Sequence, residues 1–474
     1  MILKVIDHPF VYDMKNICTV FFPYEKIREN GEEDIVIITE MRDNDMIVDA
    51  KVYEKALKKV HTYRQDEDMA TAMSVLLYSV LSELLGIKYP WGILFGVRPA
   101  KLMHRFADEY GVDGARKYFI DSFLVEPKKA DLAIEVMEHE NKSIALSSEN
   151  SFSLYVSIPF CPTRCSYCSF VSHSIERAKE LMQPYVELLC RELERVGEIA
   201  KSLGLRLETI YFGGGTPTTL SAAQLEMLFK AIEKSFDLSV LREYTVEAGR
   251  PDTVTKEKLL ALKSAGVSRI SINPQSFNDA VLEEIGRRHT SQQTIDAFNL
   301  AVQTGFDNIN MDFIAGLPKD DLPSFKNSIN TAVELGAQSV TVHTLALKSA
   351  SFIVTREKTF DHTDRLTASD MVDYSNDYLS SNGYYPYYMY RQSKSLGNLE
   401  NVGWCKQGRD CLYNVYMMDE THSVFAVGAG AVTRLKNQQT GFIDRIYNFK
   451  YPYEYNNNFD EIIKRKSKII DFYK

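Results

Sequence analysis

Residues 154–170 read LYVSIPFCPTRCSYCSF, an apolar strand pattern that runs straight into a loop carrying Cys161, Cys165 and Cys168 at a C-x3-C-x2-C spacing. Three thiols packed this closely call for a chemical explanation. A [4Fe-4S] cluster ordinarily takes four cysteines, so three on one loop can hold three irons and leave the fourth open to a ligand from outside the protein. The alternatives are a chance grouping, or three of the four ligands of a structural zinc, which needs a further donor nearby. Cys190 falls in a helical pattern beside Leu189 and Leu193 and reads as a buried thiol, as do Cys18, Cys405 and Cys411. The loop also carries Arg164 and lies beyond a strand end, where the active sites of βα barrels gather.

The strand pattern recurs outward from this point as LYVSIP, LETIYF, EYTVEA, SRISIN, NINMDFI and SVTVHTLAL, each followed by a helical or connecting stretch. Repeated βα units predict a parallel sheet with right-handed crossovers. Six units close part of the way towards the eight of a full barrel, or form an open doubly wound sheet. Upstream, Ile35 to Thr39 and Met46 to Val52 read as strands, and Met69 to Leu85, Gly111 to Phe123 and Pro127 to Glu138 as helices of a separate α/β or α+β unit. The polar stretch HENKSIALSSENS, His139 to Ser151, reads as a linker. Downstream of Phe360 the rhythm is lost and tyrosines cluster around Pro386, which we read as an extension covering the barrel. The expected organisation is 1–150, 151–359 and 360–474.

The chain has 474 residues, 45% apolar and 25% charged, which is a globular composition long enough for two or three domains. Its formal charge of −9 argues against duplex nucleic acid or an anionic membrane as the default partner. The uncharged run from Met69 to Ser82 is too short to span a bilayer and reads as a buried helix, with Asp66, Glu67 and Asp68 suited to its N-terminal dipole end. The opening MILKVIDHPF lacks the features of a signal peptide, and seven cysteines are few for a secreted scaffold, so a cytoplasmic location is expected.

Together, YVSIPFCPTRCSYCSF and the later YFGGGTPT at residues 211–218 resemble radical S-adenosylmethionine (SAM) enzymes, specifically the oxygen-independent coproporphyrinogen III oxidase family. WGILFGVRPAKLMH in the N-terminal part resembles its HemZ-type subgroup. The resemblance implies a partial (β/α)6 barrel whose cluster, on Cys161, Cys165 and Cys168, binds SAM at its open iron. An electron passed to the sulfonium would yield a deoxyadenosyl radical that takes a hydrogen from substrate. The SAM contacts carried over are Gly214, Gly215 and Thr216 for the amino group, and Glu247 and Gln275 at the ends of the third and fourth strands. Arg287 comes from IGRRHT, Asp312 would bond the ribose hydroxyls, Ala346 would meet adenine through its backbone, and Tyr155 and Tyr167 flank the site. Arg288 is read as a surface charge. The implied reaction belongs to anaerobic porphyrin and haem biosynthesis. Two propionates of coproporphyrinogen III become vinyl groups by loss of hydrogen, CO2 and an electron, with an electron donor of flavodoxin or ferredoxin type.

The sequence departs from the family at Phe170, where better-understood members carry a fourth cysteine, and at Ser157, where they have histidine. A sister branch of haem chaperones binds haem through the histidine of an HNL-x-YW segment. Anchored on Trp404 that position is Leu399, and anchored on Asn401 with a one-residue gap it is Glu400. His343 and His422 are left without a role. Arg164, Arg391, Lys394 and Arg434 are candidate partners for tetrapyrrole carboxylates. The tyrosine run reads as aromatic core or as a stacking surface. A haem-trafficking protein of the same family and a radical SAM enzyme acting on another tetrapyrrole stand as alternatives.

Overall fold

The computed structural model describes residues 1–96, 98–170, 172–348, 351, 360 and 362–474. The expected 359/360 boundary falls where residues 352–359 lie outside the described residues.

Two compact units emerge. The first holds a sheet of β1 (Ile2–Ile6), β2 (Ile35–Arg42), β3 (Asp45–Val52) and β4 (Lys55–Thr62), in that order, with β1 parallel to β2 and the rest antiparallel. Period-2 alternation in β3 buries Met46, Val48, Ala50 and Val52 on one face. Helices Val11–Phe21 and Met69–Leu85 contribute Met14, Ile17, Phe21, Met73, Leu77 and Leu81 to the same core. The second helix starts where the Asp68 carboxylate accepts from the Thr71 amide at 2.8 Å, and it stops at Gly86, whose φ of +70° suits glycine.

Three expectations change here. The expected linker is helical at its start, because the helix Pro127–Ile144 continues through Ile144. Its buried Glu140 and Ser143 were hidden among polar neighbours that suggested a loop. The units divide between Met137 and Glu138 rather than near 150, and Thr359–Ser369 and Met389–Glu400 return to the first unit. The expected helix at Gly111–Phe123 is the second half of Pro99–Asp121, kinked where Gly111 adopts φ +72°.

All six expected barrel strands form: β5 (Ser151–Ile158), then, past the two-residue β6 (Phe160–Cys161) and β7 (His173–Ser174), β8 (Arg206–Gly214), β9 (Glu243–Glu247), β10 (Arg269–Ser271), β11 (Ile309–Ala315) and β12 (Ser339–Thr344). Each pairs in parallel with the next. Their helix-facing residues, such as Leu154, Val156, Ile210, Phe212, Val246, Ile270, Met311 and Val340, are apolar and buried. The alternate residues are polar and bond to one another across the opposite face, as in Ser153 with Thr209 at 2.6 Å and Thr341 with Asn310 at 3.1 Å. A sheet that curls with this face inward encloses a polar lumen.

The C-terminal stretch lengthens the sheet at both edges, and its helix Leu412–Asp419 packs on the barrel strands, with Tyr413 stacked on Tyr211 at 4.5 Å and Leu412 N donating to Glu243 at 2.7 Å. The added strands are β13 (Tyr385–Arg391), β14 (Glu400–Cys405), β15 (Ser423–Val427), β16 (Val432–Lys436) and β17 (Ile443–Tyr447), giving the order β13-β14-β12-β11-β10-β9-β8-β5-β15-β16-β17. Unpaired backbone at β12 and β5 is thereby satisfied by antiparallel β14 and parallel β15. The tyrosine run is core: Tyr384, Tyr387 and Tyr388 are buried, and a Cβ at Gly403 would lie 1.9 Å from the Tyr388 ring.

Candidate functional site

Strand β5 ends at Ile158 and delivers Cys161, Cys165 and Cys168 within one turn of loop, closed by the Cys168 amide on the Cys165 carbonyl at 3.2 Å. Cys165 is buried and the other two are partly exposed. The loop is tied down from outside: Ser166 N donates to Ile285 O at 3.0 Å and Thr163 Oγ1 to Gly286 O at 3.1 Å. Burial raises the Cys161 thiol and pushes Cys168 up to about 11, so the protein alone does not hold these thiols ionised. Among the described residues no three His, Cys, Asp or Glu side chains converge on one point that a single ion could occupy.

The glycine triplet ends β8 and folds against this loop. Gly215 N donates to Ile158 O and Thr216 N to Phe160 O, both at 2.8 Å. A Cβ on Gly215 would meet Phe160 O at 2.5 Å and Cys161 Sγ at 3.0 Å, so glycine is required for contact with the cluster loop itself. Gly214 has φ +105°, and Thr216 Oγ1 lies 3.6 Å from Cys161 Sγ.

At the same end of the barrel, Glu247 accepts from Tyr211 OH at 2.6 Å. Burial, opposed by Tyr211 and reinforced by Asp312, pushes its carboxyl up to about 7. Asp312 accepts from Asn310 Nδ2 at 2.6 Å and lies 3.9 Å from His343 Nε2. Burial acts to raise it, but His343, Asn310 and Arg269 outweigh burial and hold it below the usual range. Gln275 is fixed in the left-handed region at φ +68° by bonds to the β11 backbone, the kind of strained non-glycine position found at functional sites. Arg287 donates to Tyr167 OH at 3.1 Å and to the Asn273 carbonyl, which joins the fourth strand end to the cluster loop. Tyr155 stacks on Tyr211 and Tyr413 at centroid distances of 6.2 and 6.0 Å. Ala346 follows β12 at the same end.

The structure thus places Gly214, Glu247, Gln275 and Ala346 at or just past strand ends, Tyr155 and Asp312 within their strands, and Tyr167 and Arg287 on loops. The buried Thr245 Oγ1, Ser271 Oγ, Asn273 Oδ1 and Arg287 Nε have no partner among the described residues, which suits a polar ligand in the lumen. Sequence reasoning missed Tyr211, Tyr413 and the pair Arg250–Asp252, although Tyr211 opens the YFGGGTPT stretch already singled out and Arg250 lies two residues past EYTVEA.

Other expectations need correction. Arg391 is not available to substrate: it is 3% exposed, donates to the Leu94 and Asn398 carbonyls, and lies over the Trp91 ring at 5.1 Å. Cys190 is partly exposed and donates to Met227 O, so it is not a fully buried thiol. His422 is structural, its two nitrogens each 2.8 Å from Ser147 and Ser153, and burial pushes its pKa down to about 3. Arg164, Lys394 and Phe170 are exposed and Arg434 is half-buried. Arg288 is exposed beside Glu176, as a surface charge should be.

Glu400 stands where one alignment puts the chaperone's haem-binding histidine. It is fully buried, accepting from Lys129 Nζ and Trp91 Nε1, each at 2.7 Å. Leu399, the other candidate, is fully buried as well.

The Radical SAM superfamily matches residues 155–332. The chain is 34% identical to the oxygen-independent coproporphyrinogen-III oxidase-like protein HemZ of Bacillus subtilis, over 97% of this chain and 95% of that protein. It is 34% identical to the heme chaperone HemW of Lactococcus lactis over 67% of this chain and 79% of that one. Coproporphyrinogen III oxidase HemN from Escherichia coli, a radical SAM enzyme, shares the fold with a TM-score of 0.52 at 23% identity, over 68% of this chain and 72% of that one.

Proposed function

Because the chain belongs to the radical SAM family of oxygen-independent coproporphyrinogen III oxidases, in its HemZ-type branch, we propose that it decarboxylates two propionates of coproporphyrinogen III to give protoporphyrinogen IX. Its cofactors are a [4Fe-4S] cluster and SAM. The observation that carries the reading is similarity to a coproporphyrinogen-III oxidase-like protein along nearly the whole chain, N-terminal unit included.

In this reading Cys161, Cys165 and Cys168 hold the cluster. Backbone around Gly214 and Gly215, with Thr216, receives the SAM amino group. Asp312, kept ionised by His343 and Asn310, accepts from ribose hydroxyls, and Glu247, with its raised pKa, can donate as well as accept. Tyr155, Tyr167, Gln275, Arg287 and Ala346 complete the cradle. Bound there, the cluster and SAM would supply a carbon-centred radical able to take a propionate hydrogen. The packed apolar outer face of the strands keeps bulk water from the lumen wall.

The similarity to HemW supports a second reading, haem trafficking. Against it stands Glu400, whose carboxylate is occupied by Lys129 and Trp91. Anaerobic turnover with reductant, SAM and coproporphyrinogen III separates the two. Porphyrinogen-dependent deoxyadenosine formation together with a product lighter by two CO2 and four hydrogens supports the decarboxylase. Stoichiometric haem binding without such turnover would transfer the assignment to the carrier.

A further inference from the structure

The TVEAGRP turn supplies a side chain that the resemblance leaves unassigned. Arg250 follows β9 and is 3% exposed. Its fork points two ways. Nε and Nη2 donate to the two oxygens of Asp252, each at 3.0 Å, while Nη1 donates to Thr163 Oγ1 at 3.1 Å and to Cys165 Sγ at 3.8 Å. The backbone beneath is also fixed, since Thr253 N and Oγ1 both donate to the Arg250 carbonyl at 2.9 and 2.7 Å. Thr253 Oγ1 in turn lies 2.6 Å from Thr218 Oγ1, just past the glycine triplet.

An anchor for the 250–253 turn would account for the bond to Asp252 but not for the direction of Nη1. With the carboxylate bound on one side of the fork and the sulfur on the other, the pair forms an oriented dipole whose positive end faces Cys165. Reduction of a cluster adds negative charge at a site where Cys165 is 8% exposed and screening by water is weak. A donor on the ligand sulfur favours that reduced form, and such bonds are among the levers that set cluster potentials.

We propose that Arg250 is a positioning residue for the cluster: clamped by Asp252, it fixes the Cys165 sulfur and raises the reduction potential of the cluster. The inference rests on the cluster assignment made above. Wild type, Arg250→Gln and Arg250→Lys are to be reconstituted anaerobically and read for iron and sulfide content, then for midpoint potential by EPR-monitored titration without SAM or substrate.

At wild-type iron content, Arg250→Gln should shift the potential downward by about 59 mV or more, a tenfold change for one electron. Arg250→Lys, which keeps the charge and loses the fork, should recover part of the shift. An unchanged potential in cluster-loaded Arg250→Gln overturns the proposal. If that variant does not load, Arg250→Lys decides: a potential between the wild-type value and about 59 mV below it supports the clamp, and a wild-type potential overturns the part assigned to the fork held by Asp252. Failure of the wild-type chain to take up a cluster would sink the radical SAM reading along with it, and the iron assay reports that outcome separately.

Discussion

At the scale of single residues, the cysteine assignment depends on which thiols share the loop. Serine at Cys161, Cys165 or Cys168 should abolish the cluster, while serine at Cys190, bonded to Met227 O on the helical side, should leave iron content intact. Anaerobic reconstitution and an iron assay decide this, and iron loss in the Cys190 variant alone would reverse the ligand assignment. Glu247 makes a second prediction. Its folded pKa of about 7 lies above the ordinary 4.5, so the folded state holds the proton more tightly and its contribution to stability is lost as pH rises from about 4.5 through about 7. The apoprotein of Glu247→Gln should therefore gain stability relative to wild type across that window in denaturant titrations. Parallel curves would show that the Glu247 carboxyl is not raised by its surroundings. The cysteines were legible because their spacing alone encodes a chemistry. Glu247 and Asp312 were legible only through the resemblance, because a carboxylate at a strand end has no sequence mark that separates a lumen from open solvent.

At the scale of elements, the barrel strands were readable from their apolar halves. The polar halves, S-x-Y-x-S in β5 or E-x-T-x-E in β9, carried as much information, since their alternation marks the lumen face. The helix continuing to Ile144 and the edge strands of the C-terminal region were not readable. In both, burial comes from partners distant in sequence, as when Tyr416 OH donates to the Ser143 carbonyl. The Lys129–Glu400 pair is the sharpest case, joining residues 271 positions apart. Burial would lift the Glu400 carboxyl, but Lys129 and Trp91 outweigh burial and keep it below its ordinary range. Replacing it with alanine takes the carboxylate away from a lysine that is 3% exposed, and breaking a buried pair in this way costs roughly 3–5 kcal/mol. Denaturant unfolding of Glu400→Ala should show that loss, and substituting both partners with apolar residues should recover much of it. A loss below about 1 kcal/mol, the size typical of an exposed pair, would mean that water reaches the site.

At the scale of the whole molecule, the division into units explains why a linear list of domains misleads. From sequence, residues 1–150 look like a separate unit, yet the unit formed by residues 1–137 also contains Thr359–Ser369 and Met389–Glu400. Within it Arg391 bonds Leu94 O, Arg365 bonds Tyr89 OH at 2.9 Å, and Glu400 bonds Trp91 and Lys129. Expressing 138–474 alone removes every one of these partners. It leaves a buried carboxylate and a buried guanidinium to be hydrated, along with the apolar Leu396 and Leu399. Each charge then loses partners at a dry site, Arg391 keeping only the Asn398 carbonyl among those named, and this favours departure of both segments from their native conformation. Because Glu400 is also the first residue of β14, which pairs with β12, the disturbance is carried by the chain into the edge of the barrel sheet. The 138–474 fragment should therefore be aggregation-prone or lack a cooperative thermal transition, and should not retain a full cluster after reconstitution. Co-expression with 1–137 as a separate chain should restore solubility if those contacts are the cause. A soluble, cooperatively melting 138–474 fragment with wild-type iron content would show instead that the first unit is dispensable for the fold of the second.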